Sequence, residues 1–91
     1  MRRVDDVFLG GYPSIDLHGV DRDSARVMTN DFIYENYLLG NSVVTIIHGK
    51  GSYVVKGSVH GALSKNNYVK EYKLDNFNDG VTIVWLKLDK S

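Results

Sequence analysis

The stretch VVTIIHGKGSYVVKG, residues 43–57, runs from a strand into a helix through a glycine-rich turn. Its first part is β-branched and apolar on both faces except at Thr45, which is typical of an interior strand in a largely covered sheet. After Gly51 the apolar residues recur at helical spacing, which predicts a helix from about residue 52 or 53 to residue 64. The inner stripe of this helix is predicted to consist of Val55, Val59, Ala62 and Leu63.

A second strand and helix precede this stretch. The sequence SIDL, residues 14–17, predicts a short strand. A helix then spans about residues 23–39, with Asp21 or Asp23 as its N-cap and a stop at residues 40–41, Gly-Asn. The apolar residues that recur at helical spacing, and are expected on its buried face, are Ala25, Met28, Phe32, Ile33, Tyr37 and Leu38.

Two further strands complete the chain. Residues 68–74, YVKEYKL, alternate in polarity and predict an exposed or edge strand. Residues 81–88, VTIVWLKL, are apolar on both faces and predict a last strand with Trp85 in the core. The order β-α-β-α-β-β implies an α/β layer structure with a mixed four-stranded sheet. We expect one domain over residues 14–91, preceded by an irregular lead-in over residues 1–13.

The composition restricts the class of protein. The 91-residue chain contains no cysteine, which excludes a disulfide framework and a thiolate metal site. It has no apolar run of about 18 residues and no signal-sequence pattern, so we expect a soluble, cytoplasmic protein. We also expect it to be a monomer. Eleven basic and eleven acidic residues give zero net charge, which argues against a strongly basic nucleic-acid binder. Residues 48–73 nevertheless hold five lysines against one acid, which allows a basic face.

Histidines follow both of the strands that the first helix joins. Two strands joined by a helix are expected to be parallel, through a right-handed crossover. Their carboxyl ends then share one edge of the sheet, where α/β proteins commonly bind ligands, and this places His18 and His48 at the same edge. Asp16 lies two residues before His18 and therefore on the same face of its strand.

The turn Gly49-Lys50-Gly51 has the chemistry of an anion site. Glycines allow a ligand to approach the backbone closely, and the amides at the start of the next helix favour a phosphate or carboxylate. Lys50 adds a positive charge, although the Walker pattern is absent. A turn of this composition also occurs without a ligand, and Asp16 and the histidines have an alternative interpretation as local hydrogen-bonding residues.

The combination of these motifs resembles the Smr domain, the small MutS-related family, over about residues 14–88. The motifs that carry the resemblance are Ile15-Asp16-Leu17-His18-Gly19, Ile46-Ile47-His48-Gly49-Lys50-Gly51 and the terminal Gly80-Val81-Thr82-Ile83-Val84. The histidine of the first motif is similar to the stand-alone branch of the family, because domains fused to MutS-type ATPases often carry arginine there.

The resemblance implies an α/β two-layer sandwich similar to the C-terminal domain of translation initiation factor three. It also implies nucleic-acid binding and, as in several members, endonuclease activity: nicking of DNA, or cleavage of RNA, including mRNA on ribosomes. Tyr53 stands where the family commonly has a glycine, and Lys56 stands about where it often has an arginine. The expected phosphate or nucleic-acid contacts are Gly49, Lys50, Gly51, Ser52, Tyr53 and Lys56.

We therefore expect a phosphodiesterase site with Asp16, His18 and His48 as its catalytic residues. His18 or His48 would act as general base or acid, since an imidazole titrates near neutral pH. Asp16 would orient His18 or, in a metal-assisted variant, share a Mg²⁺ or Mn²⁺ ion. Two other interpretations stay open: a non-catalytic module that binds nucleic acid or the ribosome, and a binder of small phosphates or nucleotides.

Overall fold

The computed structural model describes residues 2–4, 11–51 and 53–88 of the chain. Within these residues it contains five strands and two helices. In chain order they are β1 (Arg2–Val4), β2 (Ser14–Asp16), α1 (Arg22–Leu39), β3 (Val43–Ile47), α2 (Tyr53–Lys65), β4 (Val69–Leu74) and β5 (Val81–Leu86). From β2 onward this is the predicted order of strands and helices.

The strands form one mixed sheet in the order β1-β2-β3-β5-β4. β2 and β3 pair in parallel, whereas β3 with β5 and β5 with β4 pair antiparallel. The predicted mixed sheet of four strands is thus confirmed, with β4 at its edge as expected. Part of the lead-in differs from the expectation of an irregular segment, because β1 pairs antiparallel with β2 and covers its free edge. Three residues are too few to show the alternation that predicts a strand.

The ends of α1 follow from its capping residues. The Asp21 side chain accepts a hydrogen bond from the Ser24 amide at 3.4 Å, as expected of an N-cap. Hydrogen bonds from Ser24 hold the pKa of Asp21 below its usual 3.8. Gly40 closes the helix in the left-handed conformation, with φ at 81°. Both predicted boundaries of α1 are therefore confirmed to within one residue.

The buried face of α1 differs from the prediction near its C-terminal end. Leu38 is 64% exposed, whereas the polar Asn36 is buried. Asn36 donates to the carbonyl of Phe32 at 2.9 Å and accepts from the side chain of Asn41 at 2.8 Å. These hydrogen bonds offset the free-energy cost of burying an amide. The spacing of apolar residues along the sequence does not reveal a polar side chain that is buried in this way. The remaining predicted positions are buried or partly buried: Ala25, Met28, Phe32, Ile33 and Tyr37.

The inner stripe of α2 is buried as predicted, and together with α1 it covers one face of the sheet. Burial alternates along β5, where Thr82, Val84 and Leu86 are buried and Trp85 is half-buried. Trp85 therefore lies on the other face, outside the main apolar cluster, and its prediction as a core residue is wrong. Neither helix in the described part of the chain has the length and hydropathy needed to cross a membrane.

Candidate functional site

The parallel pairing of β2 and β3 brings their carboxyl ends to one edge of the sheet. Asp16 pairs with Ile47, so His18 and Gly49 follow at equivalent positions. A Cβ atom built on Gly49 would lie 3.2 Å from the Cβ of His18. The sequence-based prediction that the two motifs meet is confirmed. We call this region, made of Asp16, His18 and the turn over residues 49–51, the shared edge.

Asp16 and His18 form a hydrogen-bonded pair at the shared edge. Oδ1 of Asp16 lies 2.6 Å from Nδ1 of His18 and also accepts the backbone amide of His18 at 3.1 Å. Since a carboxylate can only accept, Nδ1 of His18 carries the proton of this bond. In the neutral ring Nε2 is then the nitrogen with a free lone pair, which is the atom that can receive a proton.

The His18 side chain is accessible to a large ligand. It is 71% exposed, whereas its partner Asp16 is 21% exposed. The pair borders an open depression of about 690 Å³, whose opposite wall is formed by Asp21, Ser24 and Met28 at the start of α1. A depression this open fits an extended ligand on the surface better than an enclosed small molecule.

Gly80, which immediately precedes β5, fixes the turn at the shared edge. Its carbonyl accepts the backbone amides of His48 at 2.9 Å and of Gly49 at 3.0 Å. The Gly49 amide is therefore already used, which corrects the expectation that it binds phosphate. The backbone amides of Lys50 and Gly51 donate to no carbonyl of the described residues, and the Lys50 side chain is exposed. These groups remain available to an anion.

His48 is placed differently from the catalytic position expected for it. Its ring is fully buried, with Nε2 at 2.8 Å from the Thr82 hydroxyl and Nδ1 at 3.3 Å from the Gly49 carbonyl. A buried imidazole bound on both nitrogens cannot reach a surface ligand as acid or base. The physical reason is that side chains alternate along a strand, so residue 48 faces the same side as the buried Val44 and Ile46. The His48 ring therefore enters the core. Its contacts hold the turn.

His60 on α2, itself half-buried, completes this cluster, and sequence reasoning missed it. Its Nε2 lies 2.8 Å from the same Thr82 hydroxyl, and its ring meets that of His48 edge-on, with 5.8 Å between centroids. His60 also packs against Tyr72. The helical spacing of α2 does not distinguish His60 from a surface residue. For Thr82, the only signal in the sequence was the Gly-x-Thr-x-Val pattern.

The hydrogen bonds of this cluster have one consistent direction when both rings are neutral. Nδ1–H of His48 donates to the Gly49 carbonyl, which leaves Nε2 of His48 as an acceptor. The Thr82 hydroxyl donates to that nitrogen and accepts from Nε2–H of His60. Burial lowers the pKa of both histidines below the usual 6.5, and the neighbouring His48 lowers the pKa of His60 further. Both rings are therefore neutral at pH 7.

The remaining predicted contacts begin α2, directly after the turn. Tyr53 is 75% exposed, and Nζ of Lys56 lies 5.3 Å from the centroid of its ring. This cation–π contact orients the two side chains relative to each other on the surface at the start of α2. Ser52, the other predicted contact here, lies outside the described residues.

A metal ion fits the shared edge poorly. Asp16 and His18 supply two donors, and no group of three or more histidine, aspartate or glutamate residues that could hold a metal ion occurs in the described ranges. No step of the chemistry below is therefore assigned to a metal.

The fold and the shared edge define a small α/β domain with an imidazole–carboxylate pair beside a basic, glycine-rich turn. The Smr domain model matches residues 15–87, and the chain belongs to this family. Endonuclease MutS2 of Clostridium acetobutylicum is 44% identical over 77 residues, and that of Clostridium kluyveri is 38% identical. These matches cover 81% of this chain but only 10% of the length of either relative.

Two solved structures share the fold. The Smr domain of Thermus thermophilus MutS2 is 26% identical with a TM-score of 0.77, covering 81% of this chain and 96% of that one. YdaL, a stand-alone small MutS-related protein from Escherichia coli, is 28% identical with a TM-score of 0.78. The match covers 90% of this chain and 72% of that one. The predicted resemblance is thereby confirmed.

Proposed function

We propose that this domain binds nucleic acid at the shared edge and cleaves its phosphodiester backbone. The observation that carries the proposal is the position of the Asp16–His18 pair beside Gly49, next to the exposed Lys50. The family relationship supports it, because the MutS2 relatives are named as endonucleases. The proposal concerns this domain, which corresponds to about a tenth of the length of those relatives.

His18 is the proton-transfer group in this proposal. Nε2 of His18 accepts the proton of the attacking hydroxyl, which belongs to water or to the ribose 2′ position of RNA. As the new P–O bond forms, the bond to the leaving oxygen breaks, that oxygen takes up a proton from water, and the His18 imidazolium afterwards returns its proton to the solvent. Asp16 keeps the ring in the Nδ1–H tautomer and stabilises the imidazolium that forms, as the aspartate of a serine-protease triad does.

The turn binds the phosphate that reacts. The Lys50 side chain and the amides of Lys50 and Gly51 provide a positive charge and two donors for the non-bridging oxygens. His48, Thr82 and Gly80 act only by holding the turn in place. In this proposal Lys50 and Gly51 touch the substrate, whereas His48, Thr82 and Gly80 position the residues that touch it.

The test is a cleavage assay on single- and double-stranded RNA and DNA of one sequence, with EDTA, Mg²⁺ or Mn²⁺. We expect His18→Ala to lower cleavage by about 10²- to 10⁴-fold, the usual contribution of general acid–base catalysis. Asp16→Asn should also lower it, whereas Asp31→Asn, an exposed carboxylate on α1, should not. Cleavage of no substrate under any condition, or full activity in His18→Ala, would overturn the catalytic assignment.

One observation favours a second candidate, a non-catalytic module that binds nucleic acid or a ribosomal surface. Burial of His48 leaves His18 as the single exposed imidazole among the described residues of the shared edge. A binding module needs only the charge and the amides of the turn. It predicts salt-dependent binding that survives His18→Ala and falls in Lys50→Ala but not in Lys70→Ala, an exposed lysine on β4.

A further inference from the structure

The loop between β4 and β5 presents one aromatic side chain to solvent. Phe77 is 95% exposed, more than any other large hydrophobic residue of the described chain. Most large apolar side chains in a small domain are at least partly buried, and Phe77 contributes nothing to the core. The ring is free to contact a ligand over nearly its whole surface.

The backbone that carries Phe77 is held by hydrogen bonds. Oδ2 of Asp75 accepts the amides of Phe77 at 3.1 Å and Asn78 at 2.9 Å. The Asn78 side chain accepts the amide of Gly80 at 2.9 Å, and its carbonyl accepts the amide of Val81 at 3.1 Å. The exposure of Phe77 is therefore a property of an ordered turn, which lowers the entropic cost of binding through the ring.

This loop lies against the proposed phosphate site. Gly80 packs so closely on the 49–51 turn that a Cβ on it would be 2.9 Å from the Lys50 nitrogen. Phe77 is three residues from Gly80, so their Cα atoms are at most about 11 Å apart. The exposed Tyr53 begins α2 two residues after the same turn. One exposed aromatic ring thus follows the basic turn directly along the chain, and the Cα of a second lies within about 11 Å of Gly80, which packs on that turn.

We propose that Phe77 is a stacking surface for an unpaired base whose phosphate lies at Lys50 and Gly51. This inference rests on the proposed function and specifies its substrate as single-stranded nucleic acid or an unpaired loop. The reason is that aromatic side chains stack on the faces of bases, and in a duplex those faces are covered by neighbouring base pairs. Every base has such a face, so the contact selects unpaired strands without selecting a sequence.

The test compares two oligonucleotides of equal length, one with bases and one fully abasic, together with a duplex of the same sequence. Phe77→Ala should weaken binding of the base-containing strand by about 5- to 150-fold, the usual effect of removing one stacked aromatic. Binding of the abasic strand should not change, because it reports phosphate contacts alone. Phe77→Trp should retain the affinity, and Leu39→Ala, an exposed apolar residue at the far end of α1, is the matched control.

The outcomes separate this inference from the proposed function. Equal effects of Phe77→Ala on the two strands, no effect on either, or tighter binding of the duplex than of the single strand would overturn the stacking role. If the chain still bound nucleic acid in any of these cases, and Lys50→Ala weakened that binding, the proposed function would stand. Failure of the unmodified chain to bind any of the three probes would overturn both proposals.

Discussion

The backbone of Gly80 is in direct contact with the amide of Lys50. A Cβ atom on Gly80 would lie 2.9 Å from the Lys50 nitrogen and 3.0 Å from the carbonyl carbon of Gly49. The Gly80 carbonyl also accepts the amides of His48 and Gly49. The turn at the end of β3 and the start of β5 therefore form one unit, positioned by backbone contacts.

This contact predicts that Gly80→Ala displaces the turn. The new Cβ meets backbone atoms, which cannot move aside as a flexible side chain can, and overpacking of this kind costs about 1–3 kcal/mol of unfolding free energy. Urea denaturation and oligonucleotide binding should both report the loss. Gly57→Ala is the control, because its Cβ meets no atom within 4 Å. That change in α2 should stabilise the domain by about 0.5–1 kcal/mol. Equal stability of the two variants would contradict the packing.

The buried cluster predicts the effect of Thr82→Val. Valine fills the same space but leaves Nε2 of both His48 and His60 without the hydroxyl, and an unpaired buried polar group costs about 1–3 kcal/mol. Thr82→Ser keeps the hydroxyl and should recover most of the stability that Thr82→Val loses. Chemical denaturation of the three proteins measures the difference. A Thr82→Val domain as stable as the parent would show that the hydroxyl does not bridge the rings.

The lowered pKa values of His48 and His60 predict a dependence of stability on pH. Burial keeps both rings neutral in the folded state at pH values where the unfolded chain already binds protons. The free energy of unfolding should therefore fall as the pH drops below about 6.5 towards the folded pKa values. The carboxyl of Asp21 titrates below 3.8 and does not contribute in this window.

The pH prediction is tested by denaturation between pH 7.5 and pH 5. His60→Gln, which keeps a side-chain donor but cannot titrate, should flatten the curve. If the free energy of unfolding of the parent chain stays constant or rises as the pH falls over this range, burial does not keep the two histidines neutral.

Substitution of Thr29 is predicted to raise the free energy of unfolding, in contrast to the destabilising changes above. Thr29 is fully buried in α1, and its hydroxyl has no hydrogen-bond partner among the described residues. Thr29→Val removes that unpaired group at nearly constant volume, so the domain should gain about 1 kcal/mol or more. Thermal denaturation measures the change, with Thr45→Val as a contrast, because the Thr45 hydroxyl bonds to Ser14 and its removal should destabilise. Destabilisation by both changes would mean that Thr29 has a partner.

The part of the site that sequence could predict is the part fixed by chain topology. Two neighbouring strands joined by a helix are expected to be parallel, and the parallel pairing of β2 with β3 brings His18 and Gly49 to one edge. The proximity of Asp16 and His18 is predicted from their two-residue spacing, although His18 lies in the turn after β2, where its amide and its ring both bond to Asp16. Both conclusions depend on spacing along the chain, which the sequence shows directly.

The part that sequence could not predict depends on which face a side chain takes and what it meets there. His48 stands beside a glycine-rich turn, yet its ring enters the core because Thr82 and the Gly49 carbonyl satisfy it. Trp85 has the apolar character of a core residue, yet it is half-buried and lies outside the main apolar cluster of the described residues. The carbonyl of Gly80, just before β5, accepts the amide of Gly49, which lies far from it along the chain, and no local pattern indicates that pairing.

The central claim is that the shared edge is the nucleic-acid site, and backbone chemical shifts test it most directly. The isotope-labelled chain is titrated with a single-stranded oligonucleotide, and each amide is followed to saturation. The account predicts that the largest changes occur at His18, Lys50 and Gly51, with little change in the C-terminal half of α1. Changes concentrated in the groove between the helices, at Arg26 and Lys65, with none at Lys50 would contradict it.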